Sequence, residues 1–144
     1  MFIDFINQNI IWFVAWAVLF NLVIFSFLRG GVSGANFVSA LELPALQRGG
    51  KSIVIDVNKP DQFSVSHIPK SINVPLEDFE DSNKDLLKSK DKTVILTCHT
   101  GGRSQSAAKK LVAMGFSNVN ILRGGLIAWT KENLPVASIQ PNKN

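Results

Sequence analysis

Residues 94–106 read VILTCHTGGRSQS: an apolar, β-branched start, the only cysteine of the chain, then a glycine-containing turn that ends in Arg103. The opening run has the composition of a strand buried on both faces of a parallel sheet. It delivers Cys98 to the carboxyl end of that strand. There Gly101 and Gly102 let successive backbone N–H groups curl toward the sulfur, and a helix starting at Ser104 aims the positive end of its dipole at the same point. Such a turn stabilises negative charge on the sulfur, whether of a thiolate, a persulfide or a tetrahedral oxyanion. A lone cysteine ending an apolar strand is often a small buried hydrophobe. A core cysteine, however, has no need of HTGGRS after it, and electropositive turns are where reactive thiols are found. Cys98 is therefore the candidate nucleophile.

The surrounding sequence alternates between strand and helix patterns. After the turn, residues 104–114 place Ala107, Ala108, Leu111 and Val112 on one face and Gln105, Lys109 and Lys110 away from it, with Gly115 as a stop. A strand over 119–122, a turn at Gly124-Gly125 and a helix over 126–132 follow. Upstream, Ser39 can cap a short helix running to Leu46, residues 53–57 form a buried strand, and Pro60 opens a helical turn over 60–65. A short strand over 71–74 is stopped by Pro75, and 83–88 is a short helix. Strands separated by helices predict an α/β fold, a parallel sheet flanked by helices, with its ligand site at the carboxyl ends of the strands.

Four segments carry a resemblance that covers about residues 37–136: IDV (55–57), HIPKSINVP (67–75), CHTGGRS (98–104) and LRGGLIAW (122–129). In order and spacing they resemble a single-domain rhodanese. The resemblance implies a sulfurtransferase in which Cys98 attacks the outer sulfur of a donor such as thiosulfate, becomes a persulfide, and passes the sulfane sulfur to a thiol or protein acceptor. It implies a substrate-binding loop of His99, Thr100, Gly101, Gly102, Arg103 and Ser104, in which backbone amides cradle the outer sulfur and the Arg103 guanidinium binds an oxyanion donor. His99 is expected at the pocket mouth, tuning donor or acceptor. Asp56 and His67 match positions that look structural, beside the site. The related cysteine phosphatases and arsenate reductases close a seven-residue C-x5-R loop around a larger oxyanion, whereas Cys98 to Arg103 is C-x4-R, a size that suits sulfur. Asn58 stands where the family usually has Arg, and Ser66 where it usually has Gly. No metal and no organic cofactor is implied, since one Cys and two His at scattered positions make no ligand set.

Composition divides the chain in two. Residues 10–28, IIWFVAWAVLFNLVIFSFL, carry no charge and are long enough, at about 1.5 Å per residue, to cross a hydrocarbon core of about 30 Å. Trp12 and Trp16 suit an interfacial aromatic belt, and Asn21 is the one polar interruption, a candidate helix–helix contact. A cleaved signal peptide would want a basic start, whereas residues 1–9 hold Asp4 and no Lys or Arg. All 15 basic residues follow the apolar run, beginning with Arg29. The positive-inside rule then leaves residues 1–9 as a short extracytoplasmic N-terminus and predicts a single-pass protein of the inner (cytoplasmic) membrane with its C-terminal domain in the cytoplasm. One unpaired cysteine fits that reducing side. The resemblance extends here to the membrane-anchored bacterial members of the family. Residues 29–36, RGGVSGAN, read as a linker, 37–136 as the rhodanese-like domain and 137–144 as a tail. A net charge of +4 with interleaved acids offers no basic stripe, so nucleic acid is not an expected partner. The competing function is a non-catalytic adaptor, a rhodanese fold that docks a membrane protein partner.

Overall fold

The computed structural model describes residues 1–28 and 32–139, which fall into two units divided after Gly31. The expected linker's residues 29–31 and the tail from 140 onward lie outside the described residues.

The first unit is one helix, α1 (Phe2–Leu28). It is the one helix among the described residues long and apolar enough to cross a membrane, over Phe2–Ser26. The helix begins upstream of residue 10, taking in most of the short N-terminal segment. Asp4 and Asn9 interrupt the apolar run without breaking the helix, because Asp4 pairs with the chain's amino group and the Asn9 amide donates to the Phe5 carbonyl. Likewise the Asn21 Nδ2 donates one hydrogen bond to the Ala17 carbonyl at 2.9 Å, within its own helix. Trp16 stacks on Phe20.

The second unit holds five parallel strands: β1 (Ala35–Val38), β2 (Ser52–Asp56), β3 (Ile72–Asn73), β4 (Thr93–Thr97) and β5 (Val119–Leu122). Their order across the sheet is β1-β5-β4-β2-β3, which puts β4 in the centre. The connections carry α2 (Leu43–Arg48), α3 (Pro60–Val65), α4 (Lys84–Leu87) and α5 (Gly102–Ala113), and α6 (Gly125–Lys131) follows β5. The strands are β-branched and apolar because both sheet faces are covered, and period-2 alternation sorts their side chains. Val94, Leu96 and Cys98 face a layer built from Ala107, Ala108 and Leu111 of α5, with Leu86 of α4. Ile95 faces the other way, toward Leu43 of α2 and Leu126 and Trp129 of α6. Trp129 is core packing with its polar end satisfied, Nε1 donating to the Pro135 carbonyl at 2.8 Å.

Three expected boundaries move. The linker ends earlier, because Val32 is buried in the core and Ala35 and Asn36 already pair with β5. Ser39 does exchange hydrogen bonds with Glu42 in a capping box, but residues 40–42 form a turn and the helix proper begins at Leu43. The domain continues past 136: Ala137 exchanges two backbone hydrogen bonds with His67, and the Ile139 amide donates to the Ser64 carbonyl.

Candidate functional site

Cys98 follows the last residue of β4 and is 2% exposed. The next three residues leave the sheet, and Gly101, at φ 102°, turns the chain into α5. Only glycine adopts that backbone region without penalty. The Gly101 amide donates to the Cys98 sulfur at 3.0 Å. α5 starts at Gly102, two residues before the expected Ser104, because the left-handed turn is completed at Gly101. The amides of its first turn have no partner within the helix and belong to the same corner of the fold. His99, Thr100 and Gly102 are exposed, Arg103 is half-buried, and Gly101 and Ser104 are buried.

What holds the loop in this shape comes from another element. The Leu126 amide donates to the Cys98 carbonyl at 2.8 Å and the Ile127 amide to the His99 carbonyl at 3.2 Å, so the first turn of α6 spends its free donors on the Cys98 loop. In a trans peptide the carbonyl and the following N–H point in opposite directions. Tying both carbonyls to α6 therefore turns the amides of His99 and Thr100 away from it. This approach demands Gly125, whose φ is +59° and whose missing Cβ would collide with the Cys98 carbonyl oxygen. The sequence pattern marks Gly124-Gly125 only as a turn. A glycine pair directly before a helix is the signal that could have identified the clamp.

Two polar atoms in this region, Nη1 of Arg103 and Oγ of Ser104, are buried without a hydrogen-bond partner among the described residues. Buried polar groups are ordinarily paired, and exceptions concentrate where a ligand supplies the partner. A guanidinium and a hydroxyl on the first turn of α5 fit the oxygens of an anion.

Asp56 ends β2 opposite Thr97 and is 1% exposed. Its Oδ1 accepts the Asn58 amide at 2.9 Å, and Asn73 Nδ2 donates to the backbone carbonyls of Asp56 and Asn58. Burial holds the Asp56 carboxyl above its ordinary range, against the opposing pull of the Asn58 amide and of nearby His67. His67 stacks on Phe63 with ring centroids 3.9 Å apart, and its Nδ1 donates to the Phe63 carbonyl at 2.7 Å. Neither residue hydrogen-bonds to the Cys98 loop among the described residues. A cleft of about 370 Å³ adjoins the loop at His99, walled by Asn58, Gln62 and Ser66 on one side and Leu126 and Thr130 on the other. Because its walls come from segments far apart in sequence, no local pattern announces it.

Fold and loop together define a class: an α/β domain that presents one cysteine, on an amide-lined turn, at the carboxyl end of its central strand. The chain belongs to the rhodanese family, since the Rhodanese-like domain model matches residues 39–132. It is 30% identical over 134 residues to the uncharacterized protein YibN of Escherichia coli K12, covering 92% of this chain and 94% of that one. It is also 38% identical over 93 residues to the adenylyltransferase and sulfurtransferase UBA4 of Candida albicans, covering 60% of this chain and 21% of that protein. Among solved structures, the BH2092 protein of Bacillus halodurans superposes with a TM-score of 0.63 at 27% identity, covering 83% of this chain and 86% of that one. A rhodanese-related protein of Thermoplasma volcanium gives 0.61 at 27% identity, covering 73% and 99%.

Proposed function

We propose that this chain is a membrane-anchored sulfurtransferase that carries sulfane sulfur on Cys98. The observation that carries the reading is the Gly101 amide directed at the Cys98 sulfur at 3.0 Å, with the unpartnered Arg103 Nη1 and Ser104 Oγ at the start of the same helix. With thiosulfate as donor, the Cys98 thiolate attacks the outer sulfur, a new S–S bond forms, and the bond to the sulfonate sulfur breaks with its electron pair leaving on sulfite. Arg103 and Ser104 bind the donor's oxygens. The amides of the loop hold the negative charge that the persulfide's outer sulfur then bears. In the second half-reaction an acceptor thiolate attacks that outer sulfur, and Cys98 departs as a thiolate, ready for another cycle. Asp56 and His67 act as scaffold, and His99 stands at the mouth.

The apolar helix α1 anchors the domain, and the distribution of basic residues argues for a short outer N-terminus and a catalytic domain in the cytoplasm. Purified full-length protein in detergent, assayed for transfer from thiosulfate to cyanide, tests the reading. Wild type turns over and Cys98→Ser does not. Full activity in Cys98→Ser, or no turnover by wild type with thiosulfate or a persulfide donor, contradicts it and favours a docking role for the fold.

A further inference from the structure

The cleft beside His99 is distinguished by the charge it lacks. None of the residues that line it is Asp, Glu, Lys or Arg, and His99 is its single titratable side chain. Its polar walls, Asn58, Gln62, Ser66 and Thr130, are neutral hydrogen-bonding groups. Its apolar lining includes Val65, which ends α3 and is 75% exposed, and Ile127 of α6, which is 40% exposed. Ligand clefts are lined mainly by apolar side chains with a few polar groups that fix orientation. The cleft meets the Cys98 loop at its backbone: His99 follows Cys98, and the amide of Leu126, in the cleft wall, holds the Cys98 carbonyl. The anion-binding groups, Arg103 and Ser104, are not part of its lining.

Resting on the sulfurtransferase reading, we infer that this cleft seats the acceptor, and that the acceptor is a peptide or protein thiol whose cysteine is flanked by uncharged, apolar residues. Neutral walls leave a carboxylate beside the incoming thiol without a cationic partner and desolvate it, whereas an aliphatic flank gains contact with Val65 and Ile127. The cleft's volume, about 370 Å³, is at the small end of ligand clefts and matches side chains more than a folded surface. Transfer is written as attack of the acceptor thiolate on the outer sulfur of the Cys98 persulfide. One S–S bond forms and one breaks, the outer sulfur carries its negative charge onto the product persulfide, and Cys98 leaves as thiolate.

Full-length protein in detergent, loaded with thiosulfate and freed of donor, is mixed with three acceptors: acetyl-Leu-Cys-Leu amide, acetyl-Asp-Cys-Asp amide and glutathione. Rate constants are expressed per thiolate to remove differences in acceptor acidity. Covering one aliphatic flank predicts that the Leu-flanked peptide reacts about tenfold faster than the other two. The ratio of the two peptides, which is insensitive to the fraction of active protein, is then measured in Val65→Glu and Val65→Lys. It falls to near unity in V65E and V65K, and V65K gains relative rate with the Asp-flanked peptide. Equal rates for all three thiols in wild type, or a ratio that neither substitution moves, overturns the assignment of the cleft alone. Failure of Cys98 to take up any sulfur overturns the sulfurtransferase reading and the cleft assignment with it.

Discussion

Replacing Gly125 by Ala isolates the contact between α6 and the Cys98 loop. The substitution carries two separable costs. At φ +59° an L side chain is strained by about 1–2 kcal/mol wherever it occurs. The new Cβ also meets backbone and not flexible side chains: the Cys98 carbonyl oxygen, the His99 carbonyl oxygen at 2.8 Å and the Gly101 amide nitrogen at 3.0 Å. Relief requires α6 to withdraw, which breaks the Leu126 and Ile127 hydrogen bonds, each worth about 0.5–1.5 kcal/mol. The expected total is roughly 2–5 kcal/mol, a fall in Tm of roughly 10–20 °C for a domain of this size. Gly50→Ala is the internal control. Gly50 has φ +70° but nothing within 4 Å of its missing Cβ, so only the conformational part, about 1–2 kcal/mol, applies. Urea unfolding of both variants gives the comparison, and sulfur loading under native conditions gives the functional part. Gly125→Ala loads at least tenfold more slowly than wild type, and Gly50→Ala loads normally. Equal destabilisation by the two substitutions, with equal loading, refutes the clamp.

Other outcomes follow from single observations. Asp56 has its folded pKa raised by burial, so the folded state binds more protons than the unfolded one and the residue's contribution to stability falls as pH rises from its unfolded value of about 4 through its folded value. Asp56→Asn, which keeps an acceptor for the Asn58 amide, is therefore as stable as wild type or more so at pH 7 and loses this pH dependence, as thermal unfolding at a series of pH values would reveal; D56A strands that amide and costs about 1–3 kcal/mol. Ser104→Ala removes a buried unpartnered hydroxyl, so it raises the stability of the free protein by up to about 1 kcal/mol while slowing uptake from thiosulfate. Arg103→Lys loses the guanidinium fork and raises the KM for thiosulfate about tenfold, measurable in the same uptake assay. Protease added to inverted membrane vesicles digests residues beyond 32, whereas intact cells protect them; protection in inverted vesicles contradicts the orientation.

The central part of the fold was legible because its signals are local. The β-branched apolar run before Cys98, the glycines after it and the one-sided pattern of α5 each announce an element within a dozen residues. β1 was not legible. Ala35–Val38 is short, only Val38 is fully buried, and it owes its strand state to pairing with β5 more than eighty residues away, so RGGVSGAN read as linker. The same holds for residues 137–139, ordered by His67 and Ser64 and not by their own composition. In the site, the sequence identified the loop but not what shapes it. The amides of Leu126 and Ile127 act through the backbone, which residue type does not record. The cleft walls unite α3, α6 and the residue after Cys98, a juxtaposition that exists only once the sheet has formed.

The central claim is that Cys98 carries sulfur, and intact-mass analysis tests it most directly. Full-length wild-type protein exposed to thiosulfate and rapidly desalted gains one sulfur atom, located on Cys98 by fragmentation and lost on addition of cyanide, while Cys98→Ser gains none. A wild-type mass unchanged by thiosulfate and by a persulfide donor, or sulfur uptake that persists in the serine variant, contradicts the account.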